Sequence, residues 1–237
     1  MTIAINQISL NPSAIARILG AVAFFLLLAS IGGQFAKYVL GHDTVYGLVN
    51  LFDIDREHNI PTYFSVLLML FAVLLLAVIA ILSGEQRASH VSKWAVLSFG
   101  FLFMAFDEAF QVHERLISPV RTLLGNGNLG VLYYAWVIPG IALVLGLALF
   151  FRKFLLDLPA KTSRRFMMAA TIYIGGAIGV ELIGGRYVEL HSAYGLKYSM
   201  IVTIEEGLEM AGLIVFIWAL LKHCADDYKE VRFRFDA

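Results

Sequence analysis

Asp107, Glu108, His113 and Glu114 fall within eight positions of one another, in the second half of an apolar run that begins at Trp94. An ionisable side chain at membrane depth is costly, and where it occurs it marks an ion, proton or substrate pathway. A second acidic group, Glu205, Glu206 and Glu209, interrupts the apolar stretch from Met200 to Leu221, and Glu181 stands in a third, from Phe166 to Gly184. These are seven carboxylates and one imidazole with no thiolate among them. That is the ligand set of iron, manganese or zinc rather than copper(I), and the surplus of carboxylates favours two bridged ions over one. In di-iron four-helix proteins such ligands project inward from facing helices, with Glu-x-x-His pairs on two of them. The likeness here is one of ligand chemistry only, since Glu206 and Glu209 have that spacing without a histidine and Phe110 stands three before His113.

Helical phase allows the acids to share one interior. At about 100° per residue, Asp107 and Glu114 lie some 20° apart on a continuous helix, with Gln111 near the same stripe. Glu205, Glu206 and Glu209 span an arc of about 100° by the same rule. Like charges so close need a compensating ion or a shared proton. Arg115 and Arg186 are the nearby cations, and Arg186 and His191 are expected in an outer shell. The first long loop, Gly41 to Pro61, adds His42, Asp43, Asp53, Asp55, Glu57 and His58. It reads either as a solvated loop or as a lid with Asp55 or Glu57 as an outer ligand.

The elements that must hold these groups are membrane helices. Of 237 residues, 59% are hydrophobic and 15% charged, with a mean hydropathy of +0.78 and zero formal net charge. That composition indicates a single polytopic all-α membrane domain, residues 1–237. Apolar runs of about 20 residues place six transmembrane helices at approximately 16–40, 62–83, 94–115, 131–151, 166–184 and 200–221. No lysine or arginine occurs in the first fifteen residues, so the first run reads as a retained span rather than a cleaved signal. Lysine and arginine concentrate at the N-terminus, the second and fourth loops and the tail, most densely at Arg152, Lys153, Lys161, Arg164 and Arg165. The excess puts both termini in the cytoplasm and the acids in the outer half of the bundle. Pro61 suits the first turn of the second helix, Pro139-Gly140 suggests a kink in the fourth, and Gly175 and Gly179, with Gly176 beside them, suggest close helix packing. The tail from Lys222 reads as a cytoplasmic, partly interfacial appendage.

Other chemistries lack their residues. The single cysteine, Cys224, rules out an internal disulfide and a cysteine-based metal site. There is no Ser-His-Asp or Cys-His nucleophile, P-loop or dinucleotide fingerprint, and zero net charge gives no reason to expect nucleic acid.

Asn59-Ile60-Pro61-Thr62-Tyr63-Phe64-Ser65, Asp107-Glu108 followed by His113-Glu114, and Glu205-Glu206-x-x-Glu209-Met210 together resemble a group of uncharacterised bacterial six-helix membrane proteins. The resemblance covers most of the chain and implies architecture and a bacterial plasma (inner) membrane, with no activity to transfer. The expectation is an intramembrane site for two divalent metal ions, with Asp107, Glu108, His113, Glu114, Glu181, Glu205, Glu206 and Glu209 as ligands. Such a site would serve an oxidoreductase or hydrolase acting on a lipophilic substrate from the membrane lipid. The competing expectation is a proton- or cation-coupled transporter using the same acids.

Overall fold

The computed structural model describes residues 10–86, 89–125 and 127–228; the tail beyond Tyr228 therefore lies outside the described residues. The described residues contain helices and loops and no strand. In order they form α1 (Pro12–Tyr38), the short α2 (Leu48–Phe52), α3 (Ile60–Glu85), α4 (Val91–Phe110), α5 (Ile117–Leu123), α6 (Val137–Asp157), α7 (Ala160–Ile174), a π-helical turn (Gly175–Val180), α8 (Glu181–Leu190) and α9 (Leu196–Asp227).

The starts of α1 and α3 are written in their sequences. Asn11 Oδ1 accepts from the backbone N–H groups of Ser13 and Ala14 at 3.0 and 3.1 Å, and Asn59 Oδ1 from that of Thr62 at 3.2 Å. Each cap is followed by a proline in the first turn, Pro12 and Pro61, where the missing N–H has no intrahelical partner to lose. Pro139 occupies the first turn of α6 in the same way, so it opens that helix instead of kinking it. The expected start of α6 near residue 131 moves to Val137, because residues 130–132 form a 3-10 turn.

Four helical segments are long and apolar enough to cross a membrane: Pro12–Tyr38, Ile60–Glu85, Val137–Asp157 and the continuous Ala160–Leu190. A fifth is counted if α4 is taken with the segment Glu114–Leu123, to which it is joined through a bend of 73°. The expected third span does not continue to Arg115. At Gln111 the backbone turns left-handed (φ 53°), and the helix ends at Phe110.

α9, 32 residues long, runs through the middle and contacts α1, α3, α7, the π turn and α8. From Met210 onward it carries Met210, Leu213, Ile217, Ala219 and Leu220, none more than 2% exposed, packed in one cluster with Leu68, Met69, Ala72, Leu76 and Ile79 of α3. At the far end Trp94 closes this core, its ring 4.9 Å from Phe154 and 5.0 Å from His223. From Glu209 to His223 the helix rises about 21 Å through densely apolar packing. The acidic end is thus separated from the opposite end by the best-packed part of the molecule.

The first long loop is tied down rather than free. Asp53 is buried and hydrogen-bonded to the side-chain amide of Gln34 on α1, which in turn accepts from Ser199 Oγ on α9 at 3.4 Å. Ser30 Oγ accepts from the Ile54 N–H at 3.1 Å, and Asn59 Nδ2 donates to the Asp53 carbonyl at 2.6 Å.

Candidate acidic site at one end of the bundle

The break in α4 creates the first part of the site. Once Gln111 reverses the chain, the Asp107 carboxylate accepts from the His113 backbone N–H through Oδ1 at 2.8 Å and pairs with His113 Nδ1 through Oδ2 at 2.8 Å. Asp107 is therefore held below His113 and not beside Glu114 on one stripe as a continuous helix would have it. Glu114 lies past the break, begins a 3-10 turn and is exposed.

A side chain that the sequence did not single out joins this part to the next. Trp136 packs its ring against His113 with centroids 4.7 Å apart, and its Nε1 donates to Glu181 Oε1 at 2.7 Å. The indole lies over Gly140, where a Cβ would stand 3.0 Å from the ring. Any larger residue there would displace Trp136. Arg186 does not pair with Glu181. Its guanidinium lies near Gly130, and it forms no ion pair among the described residues.

The third part comes from the approach of α7 to α9. A Cβ on Gly176 would meet the Glu205 carbonyl oxygen at 2.7 Å and Glu209 Cγ at 3.2 Å; one on Gly212 would meet the Tyr173 backbone nitrogen at 2.7 Å. Gly175 and Gly179 face open space, so the close packing expected of them belongs to Gly176. The tight contact coincides with the π turn, a local widening often found at functional positions. Tyr173, shortly before the π turn, lies near Glu209, and Glu181, the residue after it, lies near Glu205.

Some of the acids expected to converge are near enough to act on one another's charge. Glu108 sits in the electrostatic field of Glu209, Glu57, His113 and Asp107, and Glu206 in that of Glu209, Glu108, Glu205 and Glu57. Glu57 and Asp55 reach this region from the loop above. Asp55, although part of its surface stays open, is pushed up to about 6 by loss of water around it and then by neighbouring Asp53. Burial likewise raises Glu57, opposed by the Thr62 hydroxyl that donates to its Oε2 at 3.2 Å. His191 is elsewhere: it is exposed, stacked on Tyr187 with centroids 4.6 Å apart. Among the described residues, no three His, Cys, Asp or Glu side chains converge closely enough to hold a metal ion as they stand.

Several helices long and apolar enough for a bilayer define a multi-pass helical membrane protein. Residues 14–224 match the family model of DUF8692, a domain of unknown function, and the chain belongs to that family. No curated protein and no solved structure matches the chain.

Proposed function

We propose that this chain crosses a bacterial plasma (inner) membrane six times, with α9 as the sixth crossing and both termini cytoplasmic, and binds divalent metal at its acidic end. The observation that carries this reading is the double hold of Asp107 on His113. Metal-ligating imidazoles characteristically give one ring nitrogen to a carboxylate, which fixes the tautomer and turns the other toward the ion. His113 Nε2 has no hydrogen-bond partner among the described residues, and Glu114 and Glu209 lie near enough to act on the ring's charge. Glu108, Glu206 and Glu209 would then be ligands or bridges, with Glu114, Glu181 and Glu205 completing the shell. Asp107 moves from ligand to the residue that orients the ligand.

Iron, manganese or zinc, bound as a pair, would supply activation of O2 or water for redox or hydrolytic chemistry on a lipophilic substrate. Around it, this chain's residues exclude water from one side, hold the imidazole and carry protons between carboxylates. The apolar packing below Glu209 supports a site approached from one end only, which suits an enzyme.

One arrangement favours the second reading, a proton- or cation-coupled transporter. Glu181 and Glu205 lie close to each other on neighbouring helical segments, and acids so placed can pass a proton between them, as relay acids do.

Metal analysis by mass spectrometry on detergent-purified protein decides between them. Near-stoichiometric metal that falls in Glu209→Ala and His113→Ala supports the metal site. Substoichiometric metal unchanged by either substitution overturns it in favour of the transporter.

A further inference from the structure

Between α3 and α4 a groove of about 560 Å³ is lined only by apolar residues, chiefly Val66 and Leu70 of α3 and Phe99, Leu102, Phe106 and Phe110 of α4. The α4 residues recur at spacings of three and four, one face of the helix. They run from Phe99 to Phe110, a rise of about 16 Å, which matches one leaflet of a hydrocarbon core about 30 Å thick. The groove stops where α4 stops. Beyond Phe110, whose ring lies 4.6 Å from that of Phe106, the chain turns at Gln111 into the polar elbow of His113, Glu114 and Arg115. Asp107 sits on the groove's shoulder, about 40° around the helix from Phe103. Past the elbow, α5 leads away with Leu123 exposed, and Leu116 and Leu124 exposed on either side of it, as a segment lying along the membrane surface would carry them.

We infer that this groove holds the single aliphatic chain of an outer-leaflet amphiphile, with its polar head at the elbow beside the Asp107–His113 pair. The inference rests on the membrane orientation of the proposed function and adds a ligand class: a long-chain lipid with one extended tail. Length and depth set the choice. A tail entering from the outer leaflet points toward the midplane, the direction from Phe110 to Phe99. Its head then stops at the place where charged residues replace phenylalanines. Arg115 has no ion-pair partner among the described residues and supplies a cation for an anionic head.

The test uses the full chain in lipid nanodiscs and two palmitic acids, one with a photoreactive diazirine near the methyl end and one with it near the carboxyl. The first is expected to label the Phe99–Phe103 peptide and the second the Phe110–Arg115 peptide. Both should exceed several-fold the labelling of Phe24 and Phe25 on α1, which are equally exposed to lipid. Filling the groove with Leu70→Trp and Leu102→Trp should remove that excess. Equal labelling of α1, no dependence on where the diazirine sits, or an excess that survives the groove-filling pair overturns the inference. Metal content measured on the same samples keeps the two proposals apart: a wild-type protein without metal but with oriented labelling overturns the metal site and leaves the lipid groove standing.

Discussion

Trp136 donates its indole N–H to Glu181 at 2.7 Å while its ring rests on His113. One side chain at the start of α6 thereby joins the elbow of α4 to the start of α8. Glu181 and the Asp107–His113 pair are fixed relative to each other by a residue that carries no charge.

Trp136→Phe keeps the ring over His113 and removes the donor. The Glu181 carboxyl then loses its hydrogen-bond donor, a cost of about 1–3 kcal/mol. The expected outcome is a lower midpoint of thermal unfolding in detergent, with helical content at low temperature unchanged.

The close approach at Gly176 and Gly212 separates two kinds of glycine. Gly176→Ala and Gly212→Ala each force a Cβ against backbone at 2.7 Å, and overpacking of that kind costs about 1–3 kcal/mol. Gly175→Ala and Gly179→Ala meet nothing within 4 Å and should leave the unfolding midpoint unchanged or slightly raised. Equal effects at all four positions would contradict the contact geometry.

Asp107→Asn retains the shape of the residue but takes the charge from His113. If Asp107 orients a metal-binding imidazole, the loss of affinity should be about 10–100-fold, read by titration of zinc or manganese into the apo protein. A variant that binds metal as tightly as the wild type would leave Asp107 with the elbow alone.

The loop offers a pH dependence of definite sign. Asp55 has its folded value raised to about 6, so the folded loop holds its proton more tightly than the unfolded chain does. Its contribution to loop order is complete below about pH 4, the ordinary carboxyl range, and is lost as pH rises to about 6. Hydrogen exchange at residues 53–58, corrected for its intrinsic pH dependence, should show protection falling across that window. Asp55→Asn should flatten the profile.

Much of this arrangement was legible in the sequence because it depends on local chemistry. Apolar runs interrupted by Asp107, Glu108, Glu181 and Glu205 to Glu209 identify membrane helices and the faces that avoid lipid, since hydrophobic cost and helical phase act residue by residue. Asn59-Ile60-Pro61 fixes the start of α3 for the same reason: a cap and a proline act within one turn. What only the tertiary structure decided depends on neighbours far along the chain. The end of α4 at Phe110 is set by Asp107 catching a backbone N–H six residues on, after Gln111 adopts a left-handed conformation that no apolar pattern encodes. Trp136 reads in sequence as one more aromatic beside Pro139-Gly140, and its role appears only because Gly140 lets the ring lie down toward His113 and Glu181. The choice of Gly176 over Gly175 and Gly179 has the same origin. Which side of a helix lies closest to another is fixed by the packing of both, and here the widened π turn sets it.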